Sequence, residues 1–311
     1  MNIQRIHKAF ISGRVPYIIS IVVFLLFQFL GNNDFGNVIL WATAAIQIGI
    51  SFLLIYFTQS FVIIRSKTLL PGFFFLLFAG TETAFHYNLV GNIAALCVLL
   101  CFFFLFGAYQ KKDSQVVGFN IALLLTLGSL LWSPLLFFFP LFWYGLFKYQ
   151  SLNWRTFFAS IIGFLTVYLF IFAWAVYSDD LTIFYNKLPK FDIALDLKLL
   201  HLSLREYILG GYLFILYILA GSIIFIAGIS EKVKTLNTLS FLYISCFVIF
   251  IFSLLGTTWE NQWILILYVP LSFLVAHFFT LTKRTGVMYL MLFTILVFLG
   301  SYIWQVYLPI K

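Results

Sequence analysis

Polar positions along this chain cluster while apolar positions run, so the sequence reads as long hydrophobic stretches closed off at each end by charge. An ionised side chain at the bilayer centre costs roughly 2.5–3.5 kcal/mol on insertion scales, so such stretches predict membrane spans and the charged gaps predict loops. A first span falls at 15–31, between a basic start (Arg5, Lys8, Arg14) and Asp34. It ends in Gly31-Asn32-Asn33 with no small-x-small pattern, which predicts a retained signal anchor and not a cleaved leader. Further spans follow at 38–57 and 89–108, and then at 157–177, 208–229, 239–256, 264–281 and 287–308.

Two stretches break this simple pattern. Residues 69–81 are shorter than the ~17–25 residues a spanning helix needs and carry Pro71-Gly72 near their start, so they predict a crossing that is re-entrant or broken. Residues 114–147 carry no charge and would form a single helix of about 51 Å, against a hydrocarbon core of ~30 Å. Pro134 disfavours helical geometry at Ser133, so this stretch folds into a hairpin of two helices with its tip at Trp132-Ser133-Pro134. The total is about eleven spans in an all-α, polytopic transmembrane bundle, one domain over 1–311.

Charge then orients the bundle. A cytoplasmic amino terminus puts Arg5, Lys8 and Arg14, Arg65 and Lys67, Lys111 and Lys112, Lys148 and Arg155, Lys232 and Lys234, and Lys283 and Arg284 on one side. That is the positive-inside pattern, and the acids segregate the opposite way. The larger extracytoplasmic loop, 178–207, nearly alternates apolar and polar residues over 191–204, which fits a half-buried strand, with an interfacial helix as the alternative. Pro71-Gly72 and Gly210-Gly211 would correspond if the chain were two inverted five-helix units plus one, but no residue-level similarity joins the halves.

Composition agrees and narrows the function classes. With 63% hydrophobic residues, 41 Phe and only 9% charged residues, at a mean hydropathy of +1.07, the chain cannot clothe a soluble surface. The net charge of +8 is scattered over short loops and forms no stripe, which excludes a nucleic-acid partner and leaves membrane lipids. No GxxxxGK[ST], strand-borne GxGxxG, HExxH or GxSxG motif is present. Cys97, Cys101 and Cys246 lie inside spans and read as packing residues. Gln28, Gln47, Gln59, Asn92, Asn120 and His277 read as interhelical hydrogen-bonding groups, since the spans contain no charge of the kind that marks ion-coupled transport.

Chemistry is therefore expected at the outer ends of the spans. There the topology gathers Asp34, Glu82, His86, Asp179, Asp180, Trp259 and Glu260. Carboxylates at a bilayer rim can deprotonate an acceptor hydroxyl or hold a divalent cation, and a histidine can transfer a proton. Asp34, in Gly31-Asn32-Asn33-Asp34-Phe35-Gly36, is similar to the first-loop carboxylate of membrane glycosyltransferases of the C-type fold, which use polyprenyl-phosphate sugars. The stretch from Phe119 to Pro134, continued to Phe147 and the basic loop ending in Asn153-Trp154-Arg155, looks like their mid-chain hairpin. This pattern-level resemblance covers residues 1–177. The whole chain more closely resembles an uncharacterised family of Bacteroidota polytopic membrane proteins, through 65–75, 92–105 and the same hairpin.

The resemblance to the enzymes implies catalytic roles for Asp34, Glu82, Asp179 and Asp180, with Asp34 as base or divalent-cation partner. It implies that His86, Trp259 and Glu260 contact substrate, and that Lys187, Lys190 or Arg205 neutralises the lipid phosphate. The expected function is a lipid-linked sugar transferase or related lipid-handling protein at the outer face of a bacterial inner membrane. The alternatives are a non-catalytic scaffold or accessory subunit with envelope partners, and a flippase or transporter.

Overall fold

The structure is a computed structural model that describes residues 14–31, 36–111, 113–189, 203–227, 232–255, 261–281 and 285–307. Among these residues there are twelve α-helices, two short 3-10 turns and no strand. The helices are α1 (Arg14–Leu30), α2 (Val38–Ser60), α3 (Leu70–Gly80), α4 (Leu89–Gly107), α5 (Gln115–Ser129), α6 (Phe138–Lys148), α7 (Trp154–Tyr177), α8 (Thr182–Lys187), α9 (Leu204–Ala227), α10 (Val233–Leu255), α11 (Asn261–Leu281) and α12 (Thr285–Tyr307). The 3-10 turns are Thr83–Phe85 and Ser133–Phe137. Seven helices, α2, α4, α7 and α9 to α12, are long and apolar enough to cross a membrane, which points to a membrane-embedded protein. Helices α1, α3, α5 and α6 are shorter.

The chain divides into two compact units, Met1–Asn92 with Leu195–Lys311, and Ile93–Ala194. The first is built around α3. All 11 residues of this helix are buried, among α1, α2, α11 and α12, although at ~1.5 Å per residue it is only about 16 Å long. Its phenylalanines supply the packing: Phe74 stacks on Phe279 with ring centres 5.3 Å apart, and Phe78 lies 4.6 Å from Phe298. On the other side Gly72 sits so close to α2 that an added methyl would lie 2.9 Å from the Ser51 carbonyl oxygen. Ser51 hydroxyl also meets Tyr17 of α1 at 2.8 Å and donates to the Gly72 carbonyl, so one hydroxyl ties three helices together.

The second unit holds the hairpin. Its tip is where Pro134 places it: α5 ends at Ser129, and a 3-10 turn over Ser133–Phe137 leads into α6. Both arms are shorter than a span, because the connection between Ser129 and Phe138 takes apolar residues out of the uncharged stretch. Small residues let α5 lie directly on α7. A methyl at Gly118 would come 2.7 Å from the Thr156 carbonyl oxygen, and one at Gly163 would come 2.6 Å from that of Phe119.

The alternating segment at 191–204 falls outside the described residues up to 202, and Leu204 already opens α9. Helix α9 starts earlier than the hydropathy predicts because Ser203 and Glu206 form a capping box. Glu206 Oε2 accepts from the Ser203 backbone N–H at 2.7 Å and its hydroxyl at 2.9 Å, and Ser203 Oγ accepts from the Glu206 N–H at 3.3 Å.

Candidate functional site

The segment joining α3 to α4 is irregular backbone, and irregular backbone among apolar helices needs its polar groups satisfied by protein. Side chains do this. His86, fully buried, has its Nε2 3.0 Å from the Gly80 carbonyl at the end of α3, where the neutral ring donates as a C-terminal cap. Burial holds the imidazole down at a pKa of about 4, partly offset by that hydrogen bond. The Thr43 hydroxyl donates to the His86 carbonyl at 2.5 Å. Gln47 and Asn92 amides donate to the Phe85 carbonyl at 3.4 and 3.1 Å. Gln47 thus ties α2 to the turn, while Asn92 bonds back along its own segment, to Phe85 and Asn88.

This braced turn presents Glu82. Arg205, in the first turn of α9, donates from Nη2 to Glu82 Oε2 at 2.5 Å, and the two side chains are 12% and 18% exposed. Gln305 near the end of α12 bonds to the same carboxylate, and its Oε1 accepts from the Thr83 N–H at 3.2 Å. Burial pushes the Glu82 carboxyl up from its ordinary range, and the Arg205 charge and hydrogen bond pull it back. Glu206 adds a second, repelling carboxylate. Arg205 Nε is buried with no hydrogen-bond partner among the described residues.

These contacts bring specific helix ends together. The carboxyl ends of α3 and α12 and the amino end of α9 meet at Glu82, Thr83, Gln305 and Arg205. The end of α1 joins them, since a methyl on Gly31 would lie 3.1 Å from both Thr83 and the Tyr302 hydroxyl. That is the set of ends the charge pattern assigns to one side. At the other end of the unit Lys234, at the start of α10, lies 6.0 Å over the Phe61 ring just after α2.

Beside the ion pair a cavity of about 370 Å³ runs between α9, α10 and α11. Glu82 and Glu206 stand at its polar end, and Phe85, Leu213, Phe214, Phe250, Leu254 and Tyr268 line the apolar remainder. Gly210 and Gly211 open its wall: a methyl added to either would meet nothing within 4 Å. The size lies within the ~300–1,000 Å³ typical of small-molecule sites, and the mostly apolar lining with a few polar groups is their usual chemistry.

The residues singled out from the sequence divide accordingly. Glu82 lines the cavity and pairs with Arg205, which does not line it, and His86 is spent on the α3 terminus and does not line it either. Asp179 and Asp180 lie at the end of α7 in the second unit. Asp180 Oδ1 accepts from the Thr182 N–H at 2.9 Å and its hydroxyl at 2.5 Å, holding the start of α8. Lys187, at the end of α8, is exposed. Asp34, Lys190, Trp259 and Glu260 lie outside the described residues. Among the described residues no three His, Cys, Asp or Glu side chains gather as they would around a metal ion. Compared with protein-family models, curated proteins and solved structures, the chain finds no match. The functional reading therefore stands on the cavity and its charges.

Sequence reasoning passed over Glu206, Tyr268 and Gln305. Glu206 had a readable signal, the Ser-x-x-Glu pattern of a capping box. Gln305 is the polar residue near the end of the last apolar run, where only tertiary structure reveals its partner. Tyr268 is one aromatic among many.

Proposed function

We propose that this protein handles a lipid at the extracytoplasmic face of a bacterial inner membrane, with its amino terminus in the cytoplasm and the Glu82–Arg205 end of the first unit facing outward. One observation carries the reading: an apolar cavity of about 370 Å³ between helices ends at two carboxylates, Glu82 and Glu206, of which Glu82 is held by Arg205. An amphiphile needs both features. Its chain replaces lipid contacts with Leu213, Phe214, Phe250 and Leu254, and its head lies against groups that water would otherwise solvate.

The resemblance noted above gives this reading a concrete form, transfer of a sugar from polyprenyl phosphate with Asp34 as base or divalent-cation partner. In that form Arg205 meets the lipid phosphate. Asp34→Asn should then abolish transfer at an unchanged expression level.

The lipid reading itself is tested by mass spectrometry of lipids that co-purify with the protein in mild detergent. Wild type should retain lipid, and Gly211→Leu, which projects a side chain into the open wall, should lose it while still folding. Equal retention by both proteins would rule the cavity out as the binding place. Absence of lipid from wild type, with partner proteins co-purifying instead, would favour an accessory subunit of an envelope complex.

A further inference from the structure

Helix α9 is fastened differently on the two sides of Gly210-Gly211. Just after the pair, the Thr294 hydroxyl of α12 donates to the Leu290 carbonyl at 2.8 Å and so accepts from Tyr212 Oη at 2.7 Å. Further along, Tyr217 stacks on Tyr243 of α10 with ring centres 4.3 Å apart. This part of the helix is fixed to its neighbours. Before the pair, Leu204, Tyr207 and Ile208 are exposed, and among the described residues the hydrogen bond that joins 204–209 to another element is Arg205 to Glu82 at 2.5 Å. Glu206, next to Arg205, repels the same Glu82 carboxylate, so this fastening works against a like charge.

The two glycines between these parts serve no close contact. Both are helical, since no described glycine has a positive φ, and a methyl on either would meet nothing within 4 Å. Gly118 and Gly163, by contrast, lie against carbonyls of the facing helix. Adjacent glycines that tighten nothing only weaken a helix, and glycine pairs are places where helices bend. What such a bend would move is a wall of the cavity: Glu206, Tyr207 and Leu209 line it from before the pair, and Leu213 and Phe214 from after it.

We propose that 204–209 is a lateral gate to the cavity, which pivots at Gly210-Gly211, is latched shut by Arg205 on Glu82, and swings away from α10 and α11 to admit and release the bound amphiphile. The inference rests on the lipid-binding reading above for what passes the gate, whereas the motion itself is measured without lipid.

Spin labels at Leu204→Cys and Val38→Cys, both exposed, report that motion by double electron–electron resonance on the full-length protein in detergent, with Cys97, Cys101 and Cys246 replaced by alanine. The intact latch should give one dominant distance. Arg205→Leu should shift the population to a second distance, and adding Gly210→Ala and Gly211→Ala should return it to the first. Glu82→Gln, which removes the charge and keeps the shape, should act as Arg205→Leu does and replaces it if that variant does not fold. In protein carrying lipid, exchange of the bound molecules for deuterated copies, followed by native mass spectrometry, should be about tenfold slower with the two alanines, the scale of two glycine-to-alanine differences in helix propensity. Glycines that merely make room in the cavity would leave every distance unchanged, and that result would overturn the gate whatever lipid is bound. An unaltered exchange rate in the double-alanine protein would overturn it too. Distances that respond as expected in a protein that retains no lipid would keep the hinge and remove the lipid reading.

Discussion

Arg205 donates to Glu82 at 2.5 Å across a sequence separation of 123 residues, closing the amino end of α9 onto the turn that follows α3. Removing one partner leaves the other charge largely buried, whereas removing both leaves neither. Glu82→Leu or Arg205→Leu alone should cost about 3 kcal/mol, and the double variant less than either. Thermal unfolding in detergent, taken around the full mutant cycle, measures this. Simple addition of the two single costs would mean the pair contributes nothing as a pair.

His86 gives the stability a pH dependence of definite sign. Its folded pKa of about 4 lies below the ordinary 6.5, so the unfolded chain binds the proton more readily. The contribution of neutral His86 is complete above about 6.5 and is lost as pH falls toward about 4, by roughly 3 kcal/mol at full protonation. His86→Gln should flatten that limb of the curve. A wild-type melting temperature that is level from pH 7 to pH 4, matched by the variant, would contradict the assignment.

The room around two helical glycines predicts opposite outcomes for their substitution. Gly163→Ala places a methyl 2.6 Å from the Phe119 carbonyl oxygen, and forcing the helices apart should cost about 1–3 kcal/mol. Gly49→Ala, mid-helix in α2 with nothing within 4 Å, should gain up to about 1 kcal/mol. Melting temperatures of the two variants should move in opposite directions.

Asp180→Ala should act locally. The side chain caps the first turn of α8 through Thr182, so its loss should cost about 1 kcal/mol and fray that turn, with lipid retention unchanged. Hydrogen exchange at Thr182–Lys187 reports the fraying. Loss of lipid binding in this variant would restore a direct role for the carboxylate.

Much of this architecture could be read from charge placement, and the reasons are physical. Pro134 marks the hairpin tip because its ring constrains Ser133 whatever surrounds it, and the short run after Lys67 becomes α3 because too few apolar residues are available to span. Hydropathy could not give the lengths of the hairpin arms, since turn residues such as Leu135 and Leu136 are as apolar as those in helices. The candidate site was half legible. Glu82 and Arg205 stand out as charges at the ends of apolar runs, but their pairing is set by the packing of α9 against α11, which no local pattern encodes. His86 looked chemical for the same reason it is structural: the end of a short buried helix needs a donor.

The enclosure of α3 also bears on biogenesis. A segment of 11 residues cannot partition into lipid alone as it leaves the ribosome, and α11, which covers one side of it, is synthesised only after α4 to α10 are complete. Nascent chains arrested before α11 should therefore keep α3 accessible to crosslinkers on the translocon, and release from that machinery should coincide with the arrival of α11.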